Sequence, residues 1–159
     1  MTTPEEVTAQ LARGPALIAG LIDSVPARDL KRRPAPGKWS AHEHACHVAV
    51  MEPMWAERIE RILREDNPAI ISYEPAAEDP DRLLPMDLSR ELAAFGRGRG
   101  TLVERLQSLP AGAWERPATH TGHARYSMFL MCRHLALHDA LHGYRIEEVA
   151  LGTWWPSER

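Results

Sequence analysis

The chain has 159 residues, enough for one domain with a single hydrophobic core and no need of disulfide support. Nineteen Lys and Arg against 22 Asp and Glu leave a net charge of -3, so no basic excess drives contact with a nucleic-acid backbone. No apolar run approaches the roughly 20 residues of a membrane span, and the acidic start Thr2-Thr3-Pro4-Glu5-Glu6 does not read as a signal peptide, so a cytoplasmic protein is expected.

Residue types favour helices. There are 22 Ala and 17 Leu against 13 Val and Ile together, and β-branched side chains lose rotamer freedom in a helix. An all-α fold is expected. The 17 Arg against 2 Lys are what GC-rich codons would produce, which points to a bacterial source. Cys46 and Cys132 are too far apart for a CxxC motif, and a lone bridge would be unusual in a cytosolic chain.

In chain order, Thr3-Pro4-Glu5-Glu6 combines a capping residue, a proline suited to the first helical position and the acid of a capping box. A first helix starts there and closes at Pro26, with Gly14-Pro15 expected to kink or interrupt it. Residues 26–38 read as a loop. Ser40 and Glu43 form a second capping box, after which Val48, Met51, Trp55, Ile59 and Ile62 recur at helical steps to about Leu63.

Residues 66–86 contain Pro68, Pro75, Pro80 and Pro85, which suits a long crossover. A third helix is expected from Leu88 to Leu109, its weak point the run Gly96-Arg97-Gly98-Arg99-Gly100. No strand precedes those glycines, so a phosphate loop is disfavoured, and close packing or local flexibility is expected instead. Residues 110–126 read as a loop, and Ser127 caps a fourth helix running to about Leu151. No internal repeat or second domain is evident.

The eight histidines carry the chemistry. At about 100° per residue, His134, His138 and His142 form one stripe on the fourth helix. Adjacent members are i,i+4 pairs, the spacing at which two imidazoles on a helix share a metal. A third ligand must come from elsewhere, and the second helix offers His47, on the same side as Met51, Trp55 and Glu43. Spacing alone does not choose between the two registers of the stripe. His42, His44, His120 and His123 read as solvated or loop residues, with His120 or His123 able to reach the mouth of a site. Cys46 reads as a small core residue, and Met51, Met54, Met128 and Met131 as core or pocket wall. Trp154-Trp155 is suited to packing on the bundle or on a second subunit.

Two motifs extend this pattern. Pro36-Gly37-Lys38-Trp39-Ser40 leads into the second helix ahead of His47, and His138-Asp139-Ala140-Leu141-His142 precedes Arg145-Ile146 on the fourth. With Trp114 and Gly122 before that helix, the sequence from about Leu11 to Leu151 resembles the DinB-like superfamily, damage-inducible four-helix-bundle proteins that include thiol-dependent S-transferases. Arg145 departs from the glutamine commoner there.

The resemblance implies one four-helix bundle, in up-down-down-up order with a long crossover from the second helix to the third, and a homodimer. It implies that His47, His138 and His142 are the metal ligands, with His134 beside them. Three neutral imidazoles leave a divalent cation with its full charge and an open position. Zinc is the first expectation, and nickel or iron suits imidazole as well. The implied activity joins a low-molecular-weight thiol, mycothiol or a bacillithiol-like molecule, to a small electrophilic substrate. A hydrolytic alternative would activate water, with Glu43 as base or supporting partner. A non-catalytic metal-binding stress-response module is the third reading. No nucleic-acid or membrane partner is expected.

Overall fold

The structure is a computed structural model that describes residues 1–73 and 81–154. Its helices are α1 (Pro4–Ser24), α2 (Ala41–Arg64), α3 (Leu88–Gln107) and α4 (Met128–Trp154). Both expected capping boxes form, Thr3 with Glu6 and Ser40 with Glu43, so the starts of α1 and α2 fall where their sequences place them. Among the described residues, no helix is long and apolar enough to cross a membrane.

The four helices make a bundle in which α1 and α2 each pack on α3 and α4 and touch one another little. Consecutive helices α1 and α2 therefore stand on a diagonal. Directions follow from the contacts. Arg99 meets Glu52 and Arg105 meets Glu60, so α2 and α3 run the same way. His44 meets His142 and His47 meets His138, so α2 and α4 run oppositely. Gly14 lies against Asp139 and Gly143 against Ile18, which makes α1 parallel to α4. The order is up-down-down-up.

Two clusters of apolar side chains fill the bundle. One gathers Leu11, Trp55, Ile59, Leu102, Met128, Met131 and Leu135, the other Ile18, Val48, Phe95 and Ile146. Between them lies a buried polar knot. Arg99, 1% exposed, donates through Nε and Nη2 to the Glu52 carboxylate at 2.9 and 2.7 Å and through Nη1 and Nη2 to Asp139. One side chain of α3 thus ties α2 and α4, and its bond to the Leu11 oxygen adds α1.

That bond explains why Gly14-Pro15, expected to kink or interrupt the helix, does not interrupt it. Pro15 lies inside a continuous α1. It cannot donate to the carbonyl four residues earlier, that of Leu11, but Arg99 Nη1 supplies a proton there at 3.1 Å. Gly14 is required for another reason: a Cβ on it would lie 2.5 Å from Asp139 Oδ2 and 2.9 Å from Arg99 Nη1. The Gly96–Gly100 run is likewise helical throughout, and a Cβ on Gly98 would lie 3.2 Å from Glu52 Cγ.

The two segments read as loops need correction. They contain a small sheet of three strands, β1 (Ala69–Ile70), β2 (Pro117–His120) and β3 (His123–Ser127), with β1 parallel to β2 and β2 antiparallel to β3. A 3-10 turn at Ala111–Glu115 buries Trp114. Strands this short leave no alternating pattern to read. The side chain of Trp154 and all of Trp155 lie outside what the structure describes, so their expected packing does too.

Candidate metal centre

His47 is carried by the second turn of α2, and His138 and His142 are one turn apart on α4. Because α2 and α4 are adjacent and antiparallel, the three imidazoles converge. His47 Nε2 and His138 Nε2 are 3.2 Å apart, and the ring centroids of His142 lie 4.6 Å from His47 and 4.5 Å from His138. One nitrogen from each ring falls within 4.8 Å of the other two, the arrangement of a group that could hold a metal ion. Two nitrogens bound at about 2.1 Å to one tetrahedral ion stand roughly 3.4 Å apart, so the His47–His138 separation fits a shared cation.

His47 and His142 are buried and His138 is nearly so. Burial first, and the neighbouring imidazoles second, press the pKa of each down to about 3. All three are therefore neutral near pH 7, the state in which imidazole can ligate. The Nδ1 atoms of His47 and His138 are buried without a hydrogen-bond partner among the described residues.

Three neighbours shape the site. Trp39 enters from the turn before α2, where Gly37 at φ 73° takes the left-handed conformation that only glycine adopts without cost. Its ring stacks on His142 at 6.0 Å and lies 4.8 Å from His47. His44, expected to be solvated, is half-buried instead, one turn before His47. Its Nδ1 is 2.9 Å from His142 Nδ1, so one of the two nitrogens donates to the other, and His142 Nε2 remains for a ligand. Burial, then the charge of Arg145, lowers the His44 pKa to about 4.

Other expectations are revised. Glu43 is committed elsewhere: it is fully buried and accepts from Ser40 N at 2.9 Å, Ser40 Oγ at 2.8 Å and Arg33 Nε at 2.9 Å. Burial alone would raise its pKa, but the Arg33 and Ser40 hydrogen bonds outweigh that and hold it below the ordinary carboxylate range. It serves the cap, not the site. His42 is buried and bonds the Leu83 oxygen at 3.1 Å. Cys46 is a core residue as expected, its thiol pushed up to about 12 by burial.

His134 takes a separate course. Its Nδ1 is 3.1 Å from the Tyr126 hydroxyl and its ring meets His123 edge-on at 5.4 Å. It does not join the three-residue group. With His120 and His123 it lines a cavity that His47 and His138 also border. Sequence reasoning missed Trp39, His44 and Arg99. Only Trp39 carried a signal, as part of the entry motif, since nothing local marks His44 or Arg99 as inward.

The DinB superfamily model matches residues 10–146, which spans all four helices and every histidine of the group. The chain belongs to the DinB superfamily. A solved structure of the same architecture is YfiT from Bacillus subtilis, described as a probable metal-dependent hydrolase with an unusual four-helix bundle topology. The two chains are 20% identical and superpose with a TM-score of 0.84 over 96% of this chain and 89% of YfiT. The likeness establishes the four-helix-bundle fold. No curated protein matches the chain.

Proposed function

We propose that this DinB protein is a metal-dependent enzyme in which His47, His138 and His142 hold one divalent cation. The observation that carries the proposal is the convergence of three neutral imidazoles from two helices, two of them buried and His138 partly so, with His47 and His138 bordering a cavity. Three imidazoles with no fourth protein ligand among the described residues is the pattern of a catalytic site, not a closed structural one. Zinc suits the set, and nickel or iron suits imidazole too. When bound, such an ion would lower the pKa of a thiol or water that meets it.

The chain's own groups favour a thiol as the nucleophile. Glu43, the carboxylate that could have served water as a base, is committed to Arg33 and Ser40, and Asp139 is committed to Arg99. A thiol already held deprotonated needs no such base. Space for two reactants is also present. Trp39 and His44 line one cavity of about 460 Å³ beside His142, and His47 and His138 line another of about 270 Å³. S-transfer from a low-molecular-weight thiol to a small electrophile uses both. Hydrolysis is the second reading, favoured by the description of YfiT.

The test is metal analysis of the purified protein joined to turnover assays that pair mycothiol, bacillithiol and glutathione with a panel of electrophiles. Thiol consumption that requires the metal and is lost in His138→Ala supports S-transfer. Ester or amide cleavage without thiol supports hydrolysis. Bound metal with no turnover in either format refutes the enzyme and leaves a binding module.

A further inference from the structure

The smaller cavity is lined by two donor residues, Trp55 and Arg58, whose hydrogen-bonding capacity is not filled among the described residues. Trp55 is 5% exposed and lines the cavity, yet its indole Nε1 has no hydrogen-bond partner among the described residues. The ring is held in place by His134 and His138, whose centroids lie 5.2 and 5.7 Å away. Arg58, one turn further along α2, sets its guanidinium carbon 5.9 Å from the Trp55 ring. Its Nη2 donates to the Ile71 oxygen at 2.7 Å, and no carboxylate pairs with it among the described residues. A half-buried guanidinium that lines the cavity and, in the neighbouring lining residue, a buried N–H are both short of acceptors, a pairing suited to an anionic oxygen group.

The remaining walls say what else the ligand carries. Met51, Met54 and Tyr73 present apolar surface. On the far rim, the Nδ1 atoms of two imidazoles are already engaged: that of His134 with the Tyr126 hydroxyl, and that of His120 by accepting from the Gly122 N–H at 2.9 Å. One guanidinium with one indole N–H matches the charge and two oxygens of a carboxylate, whereas a phosphate dianion calls for more cationic charge than this wall supplies.

We propose that the cavity beside His47 and His138 binds a carboxylate-bearing small substrate, its carboxylate held by Arg58 and the Trp55 Nε1–H and its apolar body against Met51, Met54 and Tyr73. The electrophilic or scissile centre then lies toward the two histidines. This names the substrate class for the metal site proposed above and rests on that reading for the chemistry, though not for the binding.

The experiment titrates benzoate, benzamide and phenyl phosphate into the zinc-loaded and chelator-stripped protein, by calorimetry and by the Trp55 indole N–H resonance, assigned from its loss in Trp55→Phe. Benzoate is expected to bind both forms and to move that resonance downfield. Benzamide should bind at least tenfold more weakly, and Arg58→Gln and Trp55→Phe should each weaken benzoate at least about fivefold while zinc uptake is unchanged. The tie from Arg58 to Ile71 lets Arg58→Gln act through stability alone; Trp55→Phe retains the ring and lacks only the donor. Equal binding of benzoate and benzamide, tighter binding of phenyl phosphate, or undiminished binding by both variants would overturn the proposal. Benzoate binding by a protein that takes up no zinc would sustain the subsite and remove the metal reading, and zinc uptake without benzoate binding would do the reverse.

Discussion

Arg99 Nη1 donates to the main-chain oxygen of Leu11 across 3.1 Å, and that oxygen is the one Pro15 leaves without its helical donor. A residue on α3 thus completes the hydrogen bonding of α1 while the same guanidinium is paired with both Glu52 on α2 and Asp139 on α4. Asp139 directly follows His138, so the knot fixes the segment of α4 that carries the imidazoles. Removing the cation leaves two buried carboxylates and one carbonyl short of partners. Arg99→Met is therefore expected to cost about 3–5 kcal/mol, the range for breaking a buried ion pair, read as a lower midpoint in urea unfolding.

Gly14 opposes propensity to packing. Alanine would gain about 1 kcal/mol in helix propensity. Its Cβ would stand 2.5 Å from Asp139 Oδ2 and 2.9 Å from Arg99 Nη1, groups pinned by buried hydrogen bonds. The clash should win, so Gly14→Ala is expected to destabilise the protein by about 1–3 kcal/mol in the same unfolding assay.

The architecture and the histidine group were legible in the sequence for different reasons. Capping boxes at Thr3 and Ser40 and the apolar repeat from Val48 to Ile62 are local signals, and local signals set helix ends. His138 and His142 were visible as an i,i+4 pair, but choosing them over His134 required the family resemblance, because spacing treats both registers alike. The structure supplies the physical difference in the Tyr126 hydroxyl that engages His134. The tolerance of Pro15, the burial of Arg99 and the inward turn of His44 depend on residues 40 to 98 positions away, which no local pattern reports. The small sheet was missed because β1 has two residues and gains its stability only from β2, some 50 positions later.

His44 is a positioning residue for His142. A nitrogen-to-nitrogen bond of 2.9 Å fixes the ring orientation and leaves His142 Nε2 available. Loss of such a supporting partner typically costs 10–100-fold in metal affinity. His44→Ala should weaken zinc binding by about that factor, and His44→Gln, which retains a polar partner, should recover part of it. Competition against a zinc-chelating dye measures both.

Acid should destabilise the metal-free protein. His44 is held at a pKa of about 4 and His47, His138 and His142 at about 3, mainly by burial. In the unfolded chain all four return to about 6.5. Below that value the unfolded chain binds protons the folded one refuses, so stability falls as pH drops from about 6.5 toward about 3 and is insensitive to these groups above about 7.5. Urea midpoints at about pH 7.5 and about pH 5 should differ in that direction, and His44→Phe should flatten the slope.

Zinc stoichiometry of single-histidine variants tests the central claim most directly. Equilibrium dialysis at about pH 7.5, followed by metal analysis, should find one zinc per chain in the wild type and in His134→Ala. His47→Ala, His138→Ala and His142→Ala should each lose most of it. Equal zinc in the wild type and those three variants would contradict the site, and loss on His134→Ala with retention on His142→Ala would show that the metal sits one turn earlier along α4.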